Sequence, residues 1–106
     1  MYPNDSGYLT FYVYIMTNKY RTTFYIGMTN NIKRRLSEHL NSIQIKKNTF
    51  VGRYNLGYLI YYEKFNWVQE AIAREKELKG WRKDKKLNLI KSQNNLLESY
   101  NDHFLF

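Results

Sequence analysis

A chain of 106 residues is close to the size of one hydrophobic core and short for a second folded domain. A single domain over residues 1–106 is expected, its core at about 11–95 and a tail at 96–106. Seventeen Lys and Arg against nine Asp and Glu give a formal +8, which favours polyanionic partners, while the absence of cysteine excludes disulfides, thiolate metal sites and cysteine nucleophiles.

The N-terminal MYPNDSGYLT has neither the basic nor the apolar region of a secretory signal, and the apolar runs FYVYIM and YLIYY are too short to cross a bilayer. A soluble cytoplasmic protein with no membrane association is the expectation. Phe11 to Met16 is aromatic and β-branched, NKYRTT supplies turn formers, and Phe24 to Ile26 resumes the strand character, so a β-hairpin is predicted, its second strand ended by Gly27. Thr29 or Asn30 then caps a helix from about Asn31 to Leu40 or slightly beyond. Ile32, Leu36, Leu40 and Ile43 recur at every third or fourth position and form its buried stripe; Arg35 and His39 lie on the flank of that stripe, facing a cleft beside the sheet. On spacing alone, a snorkelling arginine and a boundary histidine explain the pair better than chemistry does.

NSIQIKKNTFVGRYN lacks periodicity and reads as a loop. GYLIYYE, Gly57 to Glu63, is almost continuously apolar and aromatic, as expected of a third strand covered on both faces. Asn66 offers a cap for a second helix, about Trp67 to Lys79, closed by Gly80 in a left-handed conformation, and a third helix follows over Lys83 to Ser92. The tail from Gln93 carries no Lys or Arg and ends in Phe104, Leu105 and Phe106, which can dock on the core.

The second helix poses a physical question. Val68, Ala71, Ile72, Glu75 and Leu78 follow the spacing of an inward stripe, which sets a carboxylate near its centre. An ionised group there costs several kcal/mol unless a cation accompanies it. The structural partner is Arg35 or Lys79; the functional one is a divalent ion, since Mg²⁺ is commonly held by one carboxylate with waters and phosphate oxygens. From Arg74 to Lys91 run eight Lys and Arg against three acids, with Trp81 among them, a composition suited to phosphate neutralisation and ring contact with bases.

Taken in order, these elements resemble the GIY-YIG nuclease superfamily, in particular small single-domain members related to the N-terminal nuclease domain of the bacterial excision-repair incision enzyme. The motifs are Tyr12-Val13-Tyr14, then Tyr25-Ile26-Gly27 ten residues on, then GMTNNIKRRLSEH with arginine eight and histidine twelve residues beyond the glycine. FVGRYN, Tyr62-Glu63, AIAREKELKGWRKDKK and LIKSQN continue the pattern over residues 11–95. Two positions depart from it: Tyr12 stands where the family usually has glycine, and Asn95 where many small members have proline.

The resemblance implies an α+β fold, a small central antiparallel sheet of about three strands flanked by helices. It also implies that Tyr14, Tyr25, Arg35, His39 and Glu75 converge on one cleft for metal-dependent endonucleolytic hydrolysis of DNA, branched or damaged, in repair or recombination. Glu75 would hold one Mg²⁺ or Mn²⁺, Arg35 would stabilise charge on the phosphate, Tyr14 assisted by His39 or the metal would deprotonate water, and Tyr25 would orient water or phosphate. Lys33, Arg34, Arg53, Lys79, Arg82, Lys83 and Lys86 are the candidate nucleic-acid contacts, with a protein partner as one source of specificity. Two competing readings are a nucleic-acid-binding module with weak or no cleavage, and a structural basic protein in which Glu75 and Arg35 form a buried ion pair.

Overall fold

A computed structural model describes residues 10–45 and 49–105. Strands β1 (Phe11–Thr17), β2 (Phe24–Thr29) and β3 (Tyr58–Phe65) form an antiparallel sheet in the order β2-β1-β3. Helix α1 (Ile32–Gln44) and a short α2 (Phe50–Tyr54) lie between β2 and β3; α3 (Val68–Lys79), α4 (Lys83–Gln93) and a short α5 (Asn101–Leu105) follow. The α+β architecture with a three-stranded antiparallel sheet is the one expected from the sequence.

Alternation along β1 divides the interior. Val13 and Ile15 join Ile26, Ala71, Leu78 and Ile90 on the face covered by α3 and α4; Tyr14 and Met16 join Ile32, Leu36, Val51 and Leu59 on the face covered by α1 and α2. Burial on both faces explains why β1 and β3 read as continuous apolar runs. The register shifts between Ile15 and Met16, which pair with Tyr61 and Leu59. Ile60 is the extra residue of that irregularity, and Ile60 and Tyr61 both reach the α3 face.

Several boundaries differ from the sequence reading. Gly27 does not end β2 but lies inside it, opposite Tyr14. The α1 cap is Asn31, whose Oδ1 accepts from the Arg34 N–H at 3.0 Å, while Thr29 Oγ1 accepts from the Asn31 N–H. Asn66 does not cap α3; Trp67 holds that position without a side-chain bond, and Gly80 is right-handed at φ −83°. The expected loop contains α2, capped by Thr49 Oγ1, which accepts from the Gly52 N–H at 3.0 Å and gives the isolated turn its start. Ile72, placed in the inward stripe, is exposed, because the covered arc of α3 is narrower than the apolar spacing suggests. Phe104 and Leu105 do pack on the core, through α5; Phe106 lies outside the described residues.

Candidate active site

Gly27 is where the site begins. A Cβ there would stand 2.5 Å from the Tyr14 hydroxyl oxygen, so the absent side chain makes room for the Tyr14 ring to lean across the neighbouring strand. Its hydroxyl meets α1. The Tyr14 hydroxyl and His39 Nε2 are 2.8 Å apart, and Arg35 Nε donates to the same oxygen at 3.3 Å. The 35/39 spacing places both groups one helical turn apart, over one tyrosine.

Proton positions follow from the chemistry of the three groups. Arg35 can only donate, so it occupies a lone pair of Tyr14; the phenolic O–H then points to His39, which must accept. His39 is well suited to accept. Burial, then the nearby charge of Arg35, lowers its pKa from 6.5 to about 4, so the imidazole is neutral near pH 7 with its proton on Nδ1. Burial likewise raises the Tyr14 phenol above its ordinary range, although the Arg35 hydrogen bond and charge act in the opposite direction. In the free protein Tyr14 is a neutral phenol, not a phenolate.

Tyr25 completes the cluster. Its ring stands edge-on to His39, centroids 5.5 Å apart, and 6.3 Å from the Tyr14 ring. Beside its bond to Tyr14, Arg35 donates from a terminal nitrogen to Glu38 Oε1 at 3.0 Å, and Tyr25 faces the same cleft. These bonds hold the guanidinium beside an open cleft of about 500 Å³ lined by Tyr25, Arg35, Glu38, His39, Ser42 and Phe50, among others. Tyr14 sits behind that lining, 2% exposed.

Glu75 approaches from the other side of the sheet. It stands on α3, which packs against β1 and the edge strand β2, and its charge is near enough to Tyr14 to disfavour the phenolate. Its Oε2 is 3.2 Å from Lys79 Nζ, an i,i+4 pair with both side chains part-exposed. The buried Glu75–Arg35 pair of the structural-protein reading is therefore absent: Lys79 accompanies Glu75, and Glu38 accompanies Arg35. Among the described residues no three His, Cys, Asp or Glu groups gather into a metal cage. A single part-exposed carboxylate, accompanied by Lys79, has the donor chemistry of a hard cation completed by waters and phosphate oxygens, and does not fit a zinc-type site.

Tyr14, Tyr25, Arg35 and His39 are thus brought into mutual contact, with Glu75 within electrostatic reach. The basic candidates are spread more widely. Lys79 and Lys86 line a second groove of about 270 Å³ with Phe24, Tyr25, Ile26 and Phe50. Lys33 and Arg34 are exposed on α1, and Arg34 is 3.8 Å from Glu38. Arg53 is exposed on α2, Arg82 pairs with Asp84, and Lys83 donates to the Thr22 carbonyl. The sequence reading missed Glu38 and Phe50. Glu38 lies three residues after Arg35, a spacing that announces an ion pair on a helix; Phe50 gave no periodic sign within its loop-like segment.

Residues 10–88 match the family model of the GIY-YIG catalytic domain. The chain belongs to the GIY-YIG family. It is 35% identical over 89 residues to a UPF0213 protein of Clostridium perfringens, an alignment spanning 84% of this chain and 91% of the relative. A UPF0213 protein of Pediococcus acidilactici is 31% identical over 98 residues, 92% of this chain and 95% of that one. The solution NMR structure of a UPF0213 protein from Bacillus halodurans is similar at a TM-score of 0.52 and 25% identity, covering 90% of this chain and 94% of that one. The GIY-YIG match takes in all five candidate residues. It also takes in Tyr12, where the family resemblance calls for glycine: Tyr12 is half-buried, and its ring packs edge-on against Tyr62 and Phe104. The added side chain at the first motif faces α5 and not the cleft.

Proposed function

We propose that this GIY-YIG domain is a metal-dependent endonuclease that hydrolyses DNA phosphodiesters by direct attack of water, the chain acting as a single catalytic domain. The observation that carries the reading is the Arg35–Tyr14–His39 hydrogen-bonded row, which pairs a fixed cation with a phenol that donates to a neutral imidazole. A scissile phosphate entering the cleft replaces Glu38 and Tyr14 as the partner of Arg35, whose planar fork of donors matches phosphate oxygens and stabilises the charge that develops on them. As water attacks phosphorus, its proton passes to the Tyr14 oxygen while the Tyr14 proton passes to His39 Nε2, so no free phenolate forms. The bond from phosphorus to the leaving oxygen breaks, that oxygen takes a proton from solvent to give a hydroxyl end beside the phosphate monoester, and His39 then releases its proton to solvent. Tyr25 orients water and phosphate. Glu75 would hold the divalent cation, Mg²⁺ or Mn²⁺, which when bound acts as a Lewis acid toward the phosphate and leaving oxygen. Lys33, Arg34, Arg53, Lys79, Arg82, Lys83 and Lys86 supply the phosphate contacts that position the strand.

The Glu75–Lys79 pair, part-buried at Glu75 and open to solvent at Lys79, favours this over a purely binding or structural role: an i,i+4 pair with one side in water contributes roughly 0 to 0.5 kcal/mol to stability. The test is incubation of purified protein with supercoiled, branched and single-stranded DNA in Mg²⁺, Mn²⁺ or chelator, beside Arg35→Ala and Glu75→Gln. Metal-dependent cleavage lost in both folded variants is expected, a result that also separates the enzyme from a binding module. Cleavage equal in wild type and variants contradicts the assignment.

A further inference from the structure

The open cleft and the second groove share two residues, Tyr25 and Phe50. The ring of Phe50 lies 6.1 Å from that of Tyr25, tilted by 31°, and Tyr54, one turn further along α2, lies 4.8 Å from Phe50. Both α2 rings are half open to solvent, at 49% and 46% exposure. Three aromatic rings therefore form a continuous ridge whose outer end is uncovered. Cations flank it: Arg35 on the cleft side, Lys79 and Lys86 on the groove side. A strand crossing the ridge would keep phosphates beside cations on both sides, with a base over the rings.

We propose that this ridge is a stacking platform for an unpaired nucleobase beside the scissile phosphate, so that the preferred substrate presents a single-stranded nucleotide at the point of cleavage. The inference deepens the nuclease reading and rests on it for the position of the scissile phosphate. The class of ligand follows from the surface itself. Open rings flanked by cations match a polyanion bearing flat faces, and the faces of bases are available in a single strand but covered by neighbours in a duplex. An apolar peptide would gain from the rings and lose beside Lys79, Lys86 and Arg35.

The test measures binding by fluorescence anisotropy in chelator, with labelled oligothymidylate, the same sugar-phosphate strand lacking its bases, and a duplex. Wild type is compared with Phe50→Ala, Phe50→Trp and Tyr54→Ala, each checked for folding by circular dichroism; Tyr54→Ala leaves the Tyr25–Phe50 contact in place. Either alanine variant is expected to weaken oligothymidylate binding about tenfold, within the range for loss of one base–aromatic stack, and to change duplex binding less than about twofold. Phe50→Trp should retain the affinity. Wild type should bind the baseless strand about as weakly as Phe50→Ala binds the intact one. Equal losses on strand and duplex, no loss in either alanine variant, a baseless strand bound as well as the intact one, or no binding by wild type would each overturn the platform. Base-dependent binding without metal-dependent cleavage would remove the nuclease reading and leave the platform; cleavage with Phe50 and Tyr54 indifferent would do the reverse.

Discussion

His39 is 4% exposed and neutral in the folded protein, and that combination has a consequence for stability. Its pKa falls from 6.5 unfolded to about 4 folded, so between those values the unfolded chain takes up a proton that the folded chain refuses. Stability is fully present above pH 6.5 and falls as pH drops toward 4, by up to about 3 kcal/mol from this residue. Glu63 acts lower. Burial alone would raise its pKa, but hydrogen bonds from Arg74 and Tyr61 and the charge of Arg74 outweigh that and hold it below 4.5, so its contribution is lost under that value. Urea midpoints measured across pH should therefore decline from 6.5 downward in wild type and stay nearly flat over the same window in His39→Gln. At Gly27 the predicted effect is steric. An alanine methyl would meet the Tyr14 hydroxyl and its ring carbon at 2.5 and 2.6 Å, and a buried aromatic ring bonded at its tip cannot yield cheaply. Gly27→Ala should cost about 1 to 3 kcal/mol in denaturant unfolding and uncouple Tyr14 from His39. Residue positions were partly legible. The arginine and histidine spacing was visible, and so was an unusual Glu75; that Gly27 serves Tyr14 and does not form a turn was not, because the clash involves a ring on the neighbouring strand.

The elements of the tail do more than close the chain. β3 is an edge strand, and its outer backbone groups find partners in residues 93 to 101: Gln93 bridges the N–H and carbonyl of Tyr62, Asn94 donates to the Ile60 carbonyl, and the Tyr100 N–H donates to the Leu59 carbonyl. Asn101 accepts from the Leu59 N–H at 2.9 Å and donates to the Gly57 carbonyl at 2.8 Å. An edge paired in this way offers no free ladder to a second chain. Asn101→Ala removes two of these bonds and should lower stability by about 1 to 2 kcal/mol by urea denaturation, with faster amide hydrogen exchange at Leu59. The order of the strands and of α1, α3 and α4 was legible from local pattern, since β1 and β3 are continuous apolar runs buried on both faces and α1 buries a regular stripe. The tail's partnership with β3 was not, because Asn and Gln side chains carry no periodic signal and their bonds span more than thirty residues. α2 was hidden for a related reason: five residues are too few to show a helical period, and its one local sign is the Thr49 cap.

Across the whole molecule the +8 charge sets how binding responds to salt. Association with DNA should weaken linearly in log-log terms as salt rises, and Lys79→Ala and Lys86→Ala should each reduce that slope by about one contact's worth with little change in fold. The fold class and the convergence of both tyrosines with Arg35 and His39 were readable from ordered motifs, whereas the wrapping of the site around β2 was not. Gly27 opens that edge, α1 supplies one side and α3 the other, an arrangement that depends on the packing of two helices on opposite faces of one sheet. The claim that most depends on this geometry is that the Tyr14 hydroxyl handles the proton of the attacking water. Single-turnover cleavage by Tyr14→Phe tests it most directly, because phenylalanine keeps the ring in the core and removes the one oxygen shared by Arg35 and His39. A fall of about 10²-fold or more in the cleavage rate, with DNA affinity unchanged, is the predicted result; cleavage at the wild-type rate would contradict it.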